Sequence, residues 1–180
     1  MQPQFNLGEA WHVKVEEKLA AMGIELKEPP KPVAAYVPAV QWGLLVFTSG
    51  QIPLVDGKLR YVGRVGAELT VEQGYDAARI CAINCLAALK SVIRDLDNVK
   101  RIIKVTGFVA SAPGFRDQPK VVNGASELLG EAFGPAGAHA RSAVGVAELP
   151  LGAPVEVEMI VAVKCPPEDQ LLYAVGELPS

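Results

Sequence analysis

The hydrophobic positions along this chain change period several times, and each change marks an element. From Glu9 to Met22 the apolar residues Trp11, Val15, Leu19 and Met22 recur at intervals of four, four and three. That spacing predicts one stripe along a helix, closed by Gly23. "KEPPKP", Lys27 to Pro32, follows as a stiff connector, because proline lacks an N–H and disfavours helix in the residue before it. "VAAYVPAV" and "LLVFTSG", separated by "QWG", then read as two short strands of a hairpin, with Pro38 at an edge or bulge. Asp56–Gly57 marks a further tight turn, followed by another short strand.

A helical period then takes over. Thr70 and Gln73 have capping-box spacing. Behind them Val71, Tyr75, Ala78, Ala82, Cys85, Leu89, Val92 and Leu96 alternate at fours and threes, and Ile83, Leu86 and Ile93 widen the stripe. So wide a face predicts a helix lying flat on a sheet. "VKRIIKVTGFVAS", Val99 to Ser111, reads as a strand. Asp117 is placed to cap a second helix, with Pro119 in its first turn and Val121, Ala125, Leu128 and Ala132 on one face as far as about Phe133. Two strands close the pattern, in "ARSAVGVAELPLGAPVEVEMIVAV", Ala140 to Val163.

The order is an arm followed by β-β-β-α-β-α-β-β, which predicts an α+β domain: one sheet with two long helices on one face. Residues 1–33 form the helical arm and connector, 34–164 the domain, and 165–180 a tail. The uncovered sheet face needs a partner. Composition agrees, since half of the residues are apolar and the mean hydropathy is +0.24. An obligate oligomer hides such an excess.

No apolar run approaches the length of a membrane span. The N-terminal stretch has several acids and no apolar core of a signal peptide, so a cytoplasmic location is expected. A formal charge of −3 without a Lys/Arg run argues against binding nucleic acid through its phosphates. The cysteines number three, Cys81, Cys85 and Cys165, which is no disulfide framework. Cys81 and Cys85, four apart, could meet on a helix face and hold a metal, or be small buried residues. No His or Cys partners lie nearby, so no metal site is expected.

Arg141 is the odd residue in its strand. Alternation places it on one face with Ala143, Gly145 and Ala147, and puts Ser142, Val144 and Val146 on the face that looks like core. A long cation beside three small residues leaves volume for a ligand, and a guanidinium suits a carboxylate through two parallel N–H bonds. Glu156 and Glu158 share a face of the last strand. If that strand pairs with the arginine strand through "LPLGAP", cation and carboxylates meet, so a structural salt bridge to Arg141 stands beside the pocket reading. Ser49 in "TSGQIP" reads as turn chemistry, Tyr36 as a half-buried aromatic, and Asn123 with Glu127 as a solvent-facing pair. No Walker loop, dinucleotide fingerprint or zinc motif is present.

"ARSAVGVAELP" followed by "VEVEM" resembles the closing motif of the RidA/YjgF family of reactive-imine deaminases. "YVPAV…TSGQIP" is similar to its N-terminal motif, and "IKVTGFVAS" and "VVNGASELLGEAFG" fit the segments between. The resemblance covers about Ala34 to Val163. The arm, the "SAPGFRDQPK" connection and the tail resemble a longer-chain subgroup. It implies a chorismate-mutase-like fold with one mixed sheet, and a homotrimer with clefts between subunits. By the same resemblance Arg141 binds a substrate carboxylate and Glu156 handles water or its proton at an imine. Tyr36, Ser49 and Asn123 line the cleft. Ala143 stands where the deaminases often carry cysteine, and its backbone carbonyl can still orient water. "GPY" of the family is "AAY" here. The implied activity is hydrolysis of 2-imino and enamino acids to 2-keto acids and ammonia, with no cofactor. The alternatives are a non-catalytic trimeric sensor of small carboxylates and, less favoured by the charge, an endoribonuclease.

Overall fold

The computed structural model describes residues 14–27 and 36–164. The first turns of the predicted arm helix, most of the "KEPPKP" connector, Cys165 and the predicted tail lie outside the described residues. The arm contributes α1, Val15–Ala21, whose Leu19 is buried in the core while Val15 and Met22 pack beside it.

β1 (Ala39–Trp42) and β2 (Leu45–Thr48) form the expected hairpin, with Trp42 opposite Leu45. The connection has only two residues, Gly43 and Leu44, so Gln41 and Trp42, expected between the strands, belong to β1. Gly43 takes the left-handed conformation at its first position, φ 57°. β3 (Leu54–Val55) and β4 (Lys58–Leu59) turn at Asp56–Gly57, with both turn residues at positive φ. They form a separate ribbon and add no strand to the main sheet, which corrects the expected third strand.

α2, Val71–Ile93, begins on a complete capping box. Thr70 Oγ1 accepts from the Gln73 N–H (3.2 Å), and Gln73 Oε1 accepts from the Thr70 N–H (2.9 Å). Leu96 lies past the helix end in a 3₁₀ turn and is buried. β5 runs from Val99 to Ala110, and α3 from Gln118 to Phe133. Asp117 holds the N-cap position, but its carboxylate pairs with Lys120 (3.1 Å) rather than with a backbone N–H. All four residues predicted on the inner face of α3 are buried. The helices touch closely because Gly124 has no side chain: a Cβ there would lie 2.0 Å from the Tyr75 carbonyl oxygen.

β6 (Ala140–Val146) and β7 (Val155–Val163) complete a five-stranded sheet of order β1-β2-β7-β5-β6. It is mixed: β5 and β6 are parallel, and the other neighbours are antiparallel. α2 and α3 cover one face, over Val46, Val105, Val109, Val157, Met159 and Val161, all buried. The core is largely these side chains against Leu86, Leu89, Leu128 and Leu129, each fully buried, a contribution of about 1.5–3 kcal/mol per large aliphatic residue.

The opposite face is uncovered and apolar. Trp42 is 73% exposed, Val40 51% and Phe47 40%, and Val144 lies at the far edge at 43%. Ser142, Val144 and Val146 therefore belong to the open face. The face expected to be core is thus the open one, and the helices cover the face that Arg141 shares.

Candidate active site

β6 and β7 do not pair, because β5 lies between them. Val105 sits opposite both Arg141 and Met159, whereas Phe108 sits opposite both Val144 and Glu156. Directly opposed residues point to the same side of a sheet. Arg141 thus shares the helix-covered face with Val105 and Met159, and Glu156 and Glu158 lie on the open face. With strands about 4.8 Å apart, β6 and β7 are separated by about 10 Å as well as by the sheet itself. The expected meeting of Arg141 with the glutamates does not occur within one chain. The physical reason is the crossover: the Pro/Gly connection carries the chain past β5 instead of folding back on β6.

Arg141 is held by α3. Its Nη1 donates to Asn123 Oδ1 (2.8 Å) and to Ser126 Oγ (3.0 Å). Among the described residues it has no carboxylate partner, so the intrachain salt bridge is not what holds it. Ser126 Oγ also lies 3.1 Å from His139 Nε2, and His139 Nδ1 lies 2.6 Å from the Gly137 carbonyl oxygen. Burial pushes the imidazole below its ordinary pKa, the Gly137 carbonyl opposes this, and the Arg141 charge adds to the lowering. Ala143 follows Arg141 on the same face and packs against the core, with its backbone on the edge strand. Sequence reasoning named Asn123 and Arg141 but missed Ser126 and His139. Their signal was spacing: Ser126 is one helical turn beyond Asn123, and His139 shares the face of Arg141 two residues earlier. Glu127 does not pair with Asn123; it accepts from the Tyr75 hydroxyl (2.6 Å).

The second cluster surrounds Glu156. Residues 49–51 run beside β7, where Gln51 and Val157 exchange backbone hydrogen bonds (2.8 and 3.0 Å). The Glu156 carboxylate folds over Gly50 so closely that a Cβ there would lie 1.8 Å from Oε1. Ser49 Oγ donates to the Val37 carbonyl (2.6 Å) and Ser49 N–H to that of Pro38 (2.9 Å), which ties the Tyr36 segment to the same end of the sheet. Tyr36 itself is 60% exposed. Half-burial raises the Glu156 pKa above 4.5, and the neighbouring Glu158 charge raises it further.

Cys81 and Cys85 point from α2 at the underside of β7. Their thiols contact the carbonyls of Val155 (3.4 Å) and Val157 (3.2 Å), and burial pushes that of Cys85 up to about 12. They are protonated donors on either side of Glu156. A groove of about 380 Å³ lies elsewhere, between Gly23–Lys27, the β3–β4 ribbon and α2, and neither Arg141 nor Glu156 lines it.

Residues 16–162 match the family model described as "YjgF/chorismate_mutase-like, putative endoribonuclease". Protein TCP17 of Trypanosoma cruzi is 44% identical over 149 residues, covering 82% of this chain and 93% of that protein. A 2-iminobutanoate/2-iminopropanoate deaminase of Dermatophagoides farinae is 31% identical over 142 residues, covering 75% and 91%. Among solved structures, the Agrobacterium tumefaciens protein Atu1372, of unknown function, superposes with a TM-score of 0.78 at 41% identity, covering 84% of this chain and 94% of that one.

Proposed function

The chain belongs to the YjgF/chorismate-mutase-like family, and from that premise we propose that it hydrolyses reactive 2-imino acids to 2-keto acids and ammonia in clefts between copies of itself. The observation that carries the reading is the state of Arg141. Among the described residues it is a cation held by neutral partners alone, Asn123 and Ser126. An arginine so held keeps its charge for an outside anion, and a planar carboxylate matches its fork. Similarity to a 2-iminobutanoate/2-iminopropanoate deaminase supports 2-imino acids as the carboxylate's class.

The separation of the two clusters supports assembly. Arg141 sits behind an edge strand and Glu156 on the open face, so one copy's arginine edge can meet the next copy's glutamate face. The two surfaces differ, and a contact between unlike surfaces makes a ring when the rotation between copies closes. A homotrimer is the ring we propose, with the Val40, Trp42, Leu45 and Phe47 patch buried in it, as exposed apolar patches of this kind usually are.

In the cleft, Arg141 anchors the carboxylate and sets the imine carbon near Glu156. Glu156 and the Ala143 carbonyl orient a water, which adds to the C=N carbon. Nitrogen takes up a proton, the tetrahedral adduct collapses, and ammonia leaves as the keto group forms. A carboxyl group with a raised pKa suits this traffic, since it holds a proton more readily than an ordinary carboxylate and can both accept and return one. The imine is already electrophilic, so positioning supplies much of the catalysis. The same residues without turnover would make a carboxylate sensor, a reading favoured by Ala143, whose side chain brings no heteroatom.

The test is ammonia release from freshly generated 2-iminopropanoate and 2-iminobutanoate. The wild type accelerates it. Arg141→Ala loses roughly ten- to a hundredfold in kcat/KM, the value of a charge-assisted hydrogen bond of about 1.5–3 kcal/mol. No acceleration by the wild type, together with stabilisation by 2-keto acids in thermal melts, selects the sensor instead.

A further inference from the structure

The hydrogen-bond partners around Arg141 fix more than its position. A carbonyl oxygen only accepts, so the 2.6 Å contact to Gly137 places the proton of His139 on Nδ1. In the neutral ring Nε2 is then an acceptor, and among the described residues its donor is the Ser126 hydroxyl at 3.1 Å. With its proton committed to His139, Ser126 Oγ turns lone pairs towards Arg141 Nη1 at 3.0 Å. Asn123 Oδ1 takes the other Nη1 hydrogen at 2.8 Å. Nη1 carries two hydrogens, and both are used. What remains is the Nε–H and the Nη2 hydrogens, which make no hydrogen bond among the described residues. These lie along one edge of the guanidinium, and that edge matches the two oxygens of a carboxylate.

We infer that His139 and Ser126 are positioning residues: a directed chain from the Gly137 carbonyl through the imidazole and the hydroxyl pins the Nη1 corner of Arg141, so that a ligand carboxylate is received side-on by Nε and Nη2. The inference rests on the reading of Arg141 as a carboxylate anchor, but the chain itself is a property of the free protein. Burial and the Arg141 charge, which favour the neutral imidazole, agree with it. Neither residue touches the imine; each acts through Arg141.

Two measurements test it, one independent of any ligand. The chain has two histidines, His12 and His139, so His12→Gln leaves a single ring for ¹⁵N NMR. The expected spectrum is that of a neutral ring protonated at Nδ1. The Arg141 Nη signals, assigned by their loss in Arg141→Lys, are resolved and slow to rotate in the wild type and merge in Ser126→Ala and His139→Phe. In the imine assay both variants raise KM about tenfold while kcat falls less, the loss of about one hydrogen bond's worth of orientation. Ser126→Thr and His139→Gln, which keep an acceptor or hydroxyl in place, recover most of it. A ring protonated at Nε2, or Arg141 signals unchanged in Ser126→Ala, overturns the inference. Ser126→Ala removes a single oxygen and keeps the test available if His139→Phe does not fold. A wild type inactive on imino acids, with the NMR as expected, counts against the proposed reaction and leaves the chain standing.

Discussion

The two charged ends of the candidate site are held by opposite means. Arg141 is fixed on the covered face by the directed hydrogen bonds it donates to Asn123 and Ser126 of α3. Glu156 is fixed by shape, its carboxylate folded over Gly50 on the open face, with no side-chain hydrogen bond among the described residues. The cation is therefore tied to a helix of the core. The anion is free to change protonation and to turn towards a substrate. A glycine lies under each end, and the two glycines separate the two means of support.

Gly124 supports the arginine end, and its loss has the largest expected effect. It sits between Asn123 and Ala125, and a Cβ would strike the Tyr75 carbonyl at 2.0 Å and the Arg79 backbone nitrogen at 3.2 Å. Backbone cannot turn aside as a side chain can. Gly124→Ala should push α3 off α2 and destabilise the fold by about 3 kcal/mol, the upper part of the range for overpacking. A denaturant midpoint within error of wild type would show that the helices have slack that their packing does not suggest.

Gly50 supports the glutamate end, and its loss should leave the fold almost intact. The clash at 1.8 Å is with Oε1, the far end of a side chain that can rotate into solvent. Gly50→Ala is expected to unfold close to the wild-type denaturant concentration while kcat drops about a hundredfold, the lower end of what a positioned proton-handling group contributes. Equal losses of stability and activity would mean that this end, too, is built into the core.

The sequence made the elements legible because they rest on local rules. The Thr70–Gln73 capping box, the α2 stripe and the inner face of α3 follow from spacing within a few residues. The placement of the two ends was less accessible. Alternation shows that Arg141, Ala143 and Gly145 share a face, but not which face is covered. Val144 looks like core in isolation, yet it belongs to the open face because its register sets it opposite Phe108, beside Glu156's row. Strand order is a long-range property: β5 takes β6 as a parallel partner on one side and β7 as an antiparallel one on the other. Nothing local to "LPLGAP" distinguishes that crossover from a hairpin. His139 and Ser126 stayed hidden for the same reason, since their contact joins a helix to the entrance of a strand.

The smallest effect concerns protonation, and its sign follows from the same contrast. Burial and Glu158 raise the Glu156 pKa above the ordinary 4.5. A carboxyl group raised in the folded state is harder to ionise there than in the unfolded chain. Below 4.5 it is protonated in both states and contributes nothing; as pH rises through the unfolded and then the folded value, ionisation costs the fold stability, and above the folded value the full cost remains. Glu156→Gln, which removes the charge and keeps the shape, should therefore raise the melting temperature slightly at pH 7, and the gain should vanish near pH 4. Because the carboxylate is half exposed, solvent screens most of the effect. The same substitution should abolish the pH dependence of imine hydrolysis on the acid side while leaving 2-keto acid binding to Arg141 in place. A variant that loses stability at pH 7 instead would show that the Glu156 charge is paired, and the contrast with Arg141 would fail at its anionic end.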